Sequence, residues 1–230
     1  MIYAWRAGPR GAAVFAAALV LPSVSASVSA GPASRSALVT APADPRAVIV
    51  RGRGDGVADD TAALQRAIDT AAGAKGGEGI VFLPAGRYRI SRTVFIWPGV
   101  RLFGVGKARP VITLGAATTG FQTGVATMLF FTGSRADNRA TPPKVPVPPP
   151  TSVPFDPTIG DANSGTFYSA MSNVDFEIGD GNPAATAVRF HLAQHAYLSH
   201  IDFHIGSGLA GIYQVGNVGQ DLRFFGGRYG

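Results

Sequence analysis

The stretch SNVDFEIGD at residues 172–180 returns as SHIDFHIGS at residues 199–207, and QDLRFFGG at residues 220–227 is a looser third copy. Between these copies, AVRFHL at residues 187–192 resembles AGIYQV at residues 210–215. A repeat of 21 to 27 residues made only of short strand-like runs predicts stacked units, with each strand parallel to its own copy. The pattern therefore predicts an all-β chain, a right-handed parallel β-helix. A leucine-rich repeat has the same period, but its L-x-x-L-x-L frame is missing.

The alternation within each copy separates an inner from an outer face. Asp175 and Glu177 alternate with apolar residues, and alternate side chains of a strand point to opposite faces. Stacking then places Phe176, Phe203 and Phe224 over one another inside the coils. The outer face is predicted to carry two columns: Asp175, Asp202 and Arg223 in one, and Glu177, His204 and Phe225 in the other.

Short apolar runs separated by Gly, Pro or Asn continue this pattern towards the N-terminus. They occupy residues 80–83, 88–90, 93–96, 100–103, 111–114 and 128–131. Residues 133–165 interrupt them with KVPVPPPTSVP, which cannot form a central strand because proline lacks the N–H for the ladder. This tract is predicted to be a long surface loop, with a domain linker as the alternative.

Residues 1–30 have the features of a secretory signal peptide. Arg6 and Arg10 precede an apolar run of ten residues, and small-x-small sites follow at Ala26 and Ala30. The run is shorter than the roughly 20 residues that cross a bilayer, which argues against an uncleaved membrane anchor. We expect a secreted or periplasmic protein with no membrane contact after signal removal. Residues 31–46, rich in Ala, Pro and Ser, are predicted to be a linker or arm before a β-helix domain at 47–230.

The charge and cysteine content narrow the class of protein. The net charge of +6 is spread along the chain without a Lys/Arg block, so nucleic acid is not an expected partner. The chain has no cysteine, which excludes disulfides, thiolate zinc sites and cysteine catalysis. No cofactor and no metal are expected.

The acidic stretch GDGVADD at residues 54–60 precedes an apolar pattern of helical spacing. Its acids do not have the alternating frame of a calcium-binding EF-hand loop. We predict instead that Asp59 and Asp60 cap a helix running from Thr61 to about Ala72. This amphipathic helix would cover the open edge and apolar end of the first coil.

The stretch GDGVADDTAALQRAIDTA, together with GGEGIVFLPAGRYRIS, resembles the N-terminal signature of the pectate-lyase-like β-helix superfamily. The match covers residues 52–106 and implies the fold. It does not imply one activity, because lyases, hydrolases, epimerases and phage tailspikes share this scaffold.

The C-terminal third resembles the family 55 glycoside hydrolases, which are secreted β-1,3-glucanases. AVRFHLAQ, followed by SHIDFHI, AGIYQV and FFGGRYG, corresponds to the family's strand order. Gln194 matches the second glutamine of the family pattern, His191 stands where the first glutamine is expected, and Asn217 stands where a serine is expected. Arg189 replaces the family's histidine. The resemblance implies inverting hydrolysis of β-1,3-glucan, with Gln194 and His191 as candidate catalytic residues.

In family 55 the catalytic glutamate lies in a second β-helical half. The resemblance therefore implies that this chain is truncated, lacks the general acid and needs a missing C-terminal half as its partner. The residues predicted to bind a polysaccharide substrate are Asp175, Asp202, His204, Tyr213 and Asn217. Charge balance within the Asp175–Asp202–Arg223 column is the alternative interpretation of the acids.

Three functions remain open from the sequence. The first is part of a β-1,3-glucan-degrading glycoside hydrolase. The second is a non-catalytic, glycan-binding or tailspike-like module that presents aromatics such as Trp97, Tyr197 and Tyr213. The third is a pectate or other polysaccharide lyase, for which groove aspartates and a basic residue are needed.

Overall fold

Short parallel strands and one helix make up the part of the chain that the structure describes. This computed structural model describes residues 35–73, 79–134, 159–216 and 218–229. The elements are β1 (Ala47–Ile49), β2 (Asp55–Asp59), α1 (Thr61–Ala72), β3 (Ile80–Pro84), β4 (Arg87–Ile90), β5 (Val94–Ile96), β6 (Arg101–Val105), β7 (Val111–Leu114), β8 (Ala126–Phe131), β9 (Ala170–Ser172), β10 (Asp175–Ile178), β11 (Ala185–Phe190), β12 (Tyr197–Gly206), β13 (Ala210–Val215) and β14 (Val218–Gly226).

The strands form three faces, and each strand pairs in parallel with its copy in the next coil. Face 1 contains β1, β3, β6, β9 and the start of β12. Face 2 contains β2, β4, β7, β10 and the end of β12. Face 3 contains β5, β8, β11 and β13, and β14 pairs with β12 along its whole length. The predicted right-handed parallel β-helix is therefore confirmed.

The phenylalanine column inside the coils is also confirmed. The rings of Phe176 and Phe203 lie 5.4 Å apart at an interplanar angle of 9°, and those of Phe203 and Phe224 lie 4.9 Å apart at 7°. Phe176 and Phe203 are fully buried, whereas Phe224 in β14 is 38% exposed. Burial of each such side chain contributes about 1.5–3 kcal/mol, so the stack stabilises the contact between successive coils.

The corner between faces 1 and 2 requires a left-handed backbone. Asn173, His200 and Asp221 occupy it in three successive coils, with φ values of +61°, +53° and +50°. Asparagine and aspartate tolerate this conformation better than most residues because their short side chains bond locally. The Asn173 side chain donates to Gly104 O at 2.7 Å and accepts from the N–H of Ala37 at 2.7 Å.

The helix α1 covers the N-terminal end of the coils, as predicted. Leu64, Ile68 and Ala71 are buried in the core. The side-chain amide of Gln65 pairs with the backbone of Phe95 in β5, the edge strand of face 3. Gln65 Oε1 accepts from Phe95 N–H at 2.9 Å, and Gln65 Nε2 donates to Phe95 O at 3.1 Å.

The prediction that Asp60 caps α1 through its side chain is wrong. Its carboxylate turns back and accepts from the N–H groups of Arg53 at 2.7 Å and Gly54 at 2.9 Å. The Asp60 side chain therefore stabilises the preceding loop and makes no capping hydrogen bond to the helix. Asp59 accepts from the Thr61 N–H at 2.9 Å, and also from the Thr61 and Ser91 hydroxyls.

The predicted arm at residues 31–46 is described from residue 35 onward, and its residues 35–38 are hydrogen-bonded to the coils rather than loose. Arg35 forms an antiparallel bridge with Ala108, and the N–H of Gly106 donates to Leu38 O at 3.0 Å. The side chain of Asn173 bonds both the N–H of Ala37 and the hydroxyl of Ser36. Hydrogen bonding by Asn173, distant in sequence, therefore fixes residues 35–38 in spite of their low-complexity composition.

The two described ends of the Pro-rich tract lie side by side. Thr132 forms an antiparallel bridge with Asp161, and the N–H of Gly133 donates to Gly160 O at 2.9 Å. Residues 135–158, including KVPVPPPTSVP, lie outside the described residues, as does the predicted signal peptide at 1–30. Among the helices that are described, none has the length and apolar content needed to cross a membrane.

Candidate functional site

The predicted column of Asp175, Asp202 and Arg223 lies on the outer side of face 2. Asp202 stands opposite Arg223 in the strand register, and its N–H donates to Asp175 Oδ1 at 2.9 Å. Arg223 donates to both oxygens of Asp202, through Nε at 2.8 Å and Nη2 at 3.0 Å. The two predicted substrate-binding acids are therefore engaged with neighbouring coils.

Arg109, which was not among the predicted site residues, completes this cluster. Its side chain is 2% exposed, with Nη1 3.3 Å from Asp175 Oδ1 and Nη2 3.3 Å from Asp202 Oδ1. With Arg223 it places two guanidinium groups against two carboxylates. The charges of these four side chains balance, and Arg223 is the half-exposed member, at 47%. This favours the charge-balance interpretation of the column over a sugar-binding groove. Arg109 lies 93 residues from Asp202, and no local pattern indicates their contact.

The second outer column is likewise occupied by contacts within the protein. Glu177 accepts a hydrogen bond from Arg87 Nη2 at 2.6 Å, with both side chains about half-exposed. The ring of His204 stacks on Phe225 with a centroid separation of 4.8 Å and an angle of 8°. Exposed ion pairs add little stability, so the Arg87–Glu177 pair contributes little to the fold.

Burial raises the pKa of the Asp175 carboxyl above its ordinary value of 3.8, and the Asp202 N–H and Arg109 charge offset this only in part. The folded state therefore keeps the proton to a higher pH than the unfolded chain. The resulting stabilisation is present at low pH and is lost as the pH rises from about 3.8 through the folded-state pKa.

We expect Asp175→Asn to remove this pH dependence, since the amide oxygen still accepts from the Asp202 N–H without ionising. Relative to the variant, the wild type should lose stability as the pH rises from about 3.8 through the raised folded-state pKa of Asp175. Urea unfolding of both proteins across that range measures the difference. A wild type that gains stability over the variant with rising pH would mean that the charge of Arg109 outweighs burial.

A cleft of about 510 Å³ opens on another side of the molecule, where β11 and β13 end. Its walls are the turn at residues 191–194, the segment at 163–164, and Val215 with Gly216. The turn contains both predicted catalytic candidates, His191 and Gln194, so the structure brings these two side chains to one cavity.

His191 is held by a buried carboxylate. Its Nδ1 lies 3.3 Å from Oδ2 of Asp161, whose side chain is 6% exposed, whereas the His191 side chain is 50% exposed. Arg189 donates to both oxygens of Asp161, from Nε at 2.9 Å and Nη2 at 2.6 Å. A bidentate arginine fixes the carboxylate, and the carboxylate then orients the imidazole.

Arg189 lies between two aromatic rings on the outer side of face 3. Its guanidinium carbon is 5.5 Å from the ring centroid of Phe130 and 5.2 Å from that of Tyr213. The arginine side chain is 3% exposed, and its Nη1 has no hydrogen-bond partner among the residues described. Tyr213, predicted to bind substrate, thus packs on Arg189 behind the cleft.

The predicted site residues therefore divide between two places. Asp175, Asp202 and His204 belong to face 2, and His191, Gln194 and Tyr213 belong to face 3 and its following corner. Asn217 lies outside the described residues. Trp97 is 7% exposed and donates its indole N–H to Asp69 at 2.6 Å, so it is not available to stack on a glycan.

The histidines do not form a metal centre in the described part of the chain. No group of three or more His, Cys, Asp or Glu side chains is placed there to hold a metal ion. His200 bonds Asp221 at 2.8 Å, and His195 stacks on Tyr168. Each histidine has its own local partner, which explains why their closeness in sequence does not produce a ligand set.

Curated proteins similar to this chain include mannuronan C5-epimerases of Azotobacter vinelandii. AlgE2 is 47% identical over 68 residues, which are 26% of this chain and 7% of AlgE2. AlgE4 is 46% identical over 68 residues, which are 26% of this chain and 12% of AlgE4. The chain thus spans a small part of the length of these relatives.

Two solved structures can be compared with the whole coil. PfbA, a surface adhesin of Streptococcus pneumoniae, has a TM-score of 0.49 and 19% identity, covering 78% of this chain and 38% of PfbA. The A-module of the Azotobacter vinelandii mannuronan C-5 epimerase AlgE4 has a TM-score of 0.43 and 16% identity, covering 75% of this chain and 48% of the module.

The match to one protein family extends over most of the chain, from just before the acidic stretch at residues 54–60 to the last coil. Residues 52–230 match the family described as rhamnogalacturonase A/epimerase, pectate lyase-like. This range includes the capping helix, all three faces and the cleft beside His191. The chain therefore belongs to the rhamnogalacturonase A/epimerase, pectate lyase-like family.

Proposed function

We propose that this protein binds a uronate-containing polysaccharide in the cleft beside His191 and transfers a proton there. The observation that most favours this function is the orientation of the half-exposed His191 ring by the buried Asp161 carboxylate, at the wall of the cleft. A polar group fixed in a concave site is the usual arrangement of a saccharide-processing centre.

The substrate class follows from the relatives and from the family. Relatives named mannuronan C5-epimerases act on a polymer of uronate, and the family description includes epimerases and pectate-lyase-like proteins.

The chemistry follows from the tautomer of His191. With Nδ1–H directed at Asp161, Nε2 of the ring becomes a proton acceptor. It accepts the proton from the carbon next to the sugar carboxylate, and the bond electrons pass into that carboxylate as an enediolate. Return of a proton from solvent to the other side of that carbon gives an epimer, and His191 then releases its own proton to water. Alternatively, the bond to the neighbouring glycosidic oxygen breaks and that oxygen takes the proton held by His191, which gives an unsaturated sugar.

We expect His191→Gln to lower proton transfer at least about 100-fold, because general-base catalysis contributes about 10²–10⁴-fold. The full chain is incubated in D₂O with polymannuronate or polygalacturonate. NMR measures deuterium at the carbon next to the carboxylate, and ultraviolet absorbance measures unsaturated product. His200→Asn is the matched control, since Asn173 occupies the same left-handed corner one coil earlier.

Equal deuterium uptake by wild type and His191→Gln would contradict the proposal, as would binding of the polymer without any turnover. The second outcome would identify a glycan-binding module.

A neutral β-1,3-glucan is the second candidate substrate, and the position of Gln194 on the cleft wall favours it. In the resemblance to family 55 hydrolases, a glutamine at this position belongs to the network that holds the attacking water. Laminarin is therefore included in the same assays, with release of reducing sugar as the readout. Cleavage of laminarin together with no reaction on uronates would replace the first proposal with this one.

We also propose that the protein is exported, on the basis of the signal-like features of residues 1–30. Expression of the full reading frame, followed by mass determination of the protein from the periplasm or medium, tests this. A mature N-terminus after Ala26 or Ala30 is expected, and retention of the complete protein inside the cell contradicts it.

A further inference from the structure

We propose that the ring of His195, supported by Tyr168, is a stacking platform for a sugar ring next to the cleft. This inference rests on the proposed function, because it assigns an additional contact for the same polysaccharide. The two rings stack with centroids 5.3 Å apart and an interplanar angle of 12°. Tyr168 is 44% exposed, and His195 is also exposed, so the pair lies at the surface.

The pair lies beside the cleft. His195 directly follows Gln194, the last residue of the turn that lines the cavity, and Tyr168 is four residues after Ser164 on the opposite wall. The N–H of Ala193 donates to Thr166 O at 2.9 Å, which joins the two walls. A chain that fills the cleft therefore continues past His195.

The backbone of this corner shows that the two side chains are not required by the fold. Strand register aligns residues 101, 170 and 197, and the residues two positions earlier are Gly99, Tyr168 and His195. All three have a left-handed backbone, with φ values of +79°, +66° and +61°. Glycine adopts this conformation without strain, whereas tyrosine and histidine do not. Strained residues that hold an exposed ring pair beside a cavity indicate a binding role.

The position that follows His195 in this column is a glycine of the cleft wall. In the next coil, register aligns Tyr197 with Val218, so Gly216 is the residue that follows His195 in this column. Gly216 has no side chain to cover the outer face of the imidazole, and it also lines the cleft. A side chain at position 216 is sterically excluded, because its Cβ would lie 2.2 Å from Leu192 O. The position that follows His195 in this column therefore cannot carry a side chain over the imidazole.

The chemistry of a pyranose ring fits such a face. The C–H groups on one side of the sugar ring form an apolar surface, and their positive edges are attracted to the negative face of an aromatic ring. The hydroxyl and carboxylate groups at the sugar's rim stay in solvent or contact Gln194. The platform therefore recognises a sugar ring next to the one in the cleft and increases affinity for longer oligosaccharides.

We expect His195→Gly to weaken binding of a mannuronate tetrasaccharide about threefold to tenfold, with little change for the disaccharide. His195→Tyr, which keeps an aromatic face, should restore tetrasaccharide affinity. Isothermal titration calorimetry measures the dissociation constants, and the unfolding temperature of each variant shows whether the coil is intact. Ala117→Gly is the control, because it removes a left-handed non-glycine residue (φ +46°) at another corner without removing a ring.

The outcomes separate the two proposals. A wild type that binds no uronate or glucan oligosaccharide overturns the proposed function and this inference with it. A wild type that binds, together with a His195→Gly variant of equal affinity, overturns the platform alone. The platform is also wrong if His195→Tyr binds the tetrasaccharide as weakly as His195→Gly does, since the loss would then come from the changed corner and not from the missing ring face.

Discussion

Phe203→Ala is expected to destabilise the protein by about 3–5 kcal/mol, the usual cost of removing a phenyl ring from a well-packed core. Phe203 is fully buried and lies between Phe176 and Phe224, with ring separations of 5.4 and 4.9 Å. The strands above and below are fixed by their own hydrogen bonds and cannot collapse into the space. The cavity therefore persists, and both ring contacts are lost together.

Urea or guanidinium unfolding, followed by circular dichroism, measures this effect. Phe225→Ala is the matched control on the same strand, because its side chain is 44% exposed and points outward. Its cost should be below about 1 kcal/mol, as for other surface substitutions. Equal costs for Phe203 and Phe225 would mean that the internal stack does not support the coils.

Asp161→Asn is expected to cost about 3–5 kcal/mol, because it leaves the buried charge of Arg189 without a counter-ion. Both side chains are almost fully buried, and Arg189 donates to the two carboxylate oxygens at 2.9 and 2.6 Å. The neutral amide accepts one hydrogen bond at most from the guanidinium. Its NH₂ group meets the other arginine donor, which adds repulsion.

A second variant separates loss of the ion pair from loss of packing. Combining Asp161→Asn with Arg189→Met removes the unpaired charge and keeps an apolar chain between Phe130 and Tyr213, so most of the stability should return. Glu177→Gln tests the half-exposed pair with Arg87 and should cost less than about 1 kcal/mol. A double variant that is less stable than Asp161→Asn alone would show that the arginine stabilises through its own packing.

The sequence predicts the coil well because the repeated pattern encodes it locally. Val174, Phe176 and Ile178 alternate with acids, and the same order returns 27 residues later. Period-two alternation fixes which side chains point inward, and the repeat fixes which residues stack. The register Asp202–Arg223 and the stacked phenylalanines then follow without further information.

The cleft could be predicted only in part. Resemblance identified His191 and Gln194, which do meet at one cavity. Asp161, which orients His191, lies in the tract predicted as a proline-rich loop, and no periodic pattern connects it to Arg189. The contacts of Arg109 with Asp175 and Asp202 were also not predicted, because these residues are far apart in the sequence. Contacts between an insertion and a coil depend on tertiary packing, which a local pattern does not specify.

The wrong prediction that the Asp60 side chain caps α1 has a similar cause. Asp60 has the residue type and position of a capping acid, but its carboxylate accepts from two N–H groups of the tight loop before it. Gly52 allows that approach, because a Cβ there would lie 2.8 Å from Asp60 Oδ1. Residue type and position along the chain do not specify which of the nearby N–H groups the carboxylate bonds.

The pairing of Gln65 with Phe95 has a consequence for self-association. An unpaired outer strand can recruit an identical strand from another molecule, and parallel coils extended in this way would grow into fibres. Here the glutamine amide satisfies the N–H and C=O of Phe95 that such a recruit would need. The helix thus blocks the edge strand of face 3, and it keeps a second molecule from adding a strand there at high protein concentration.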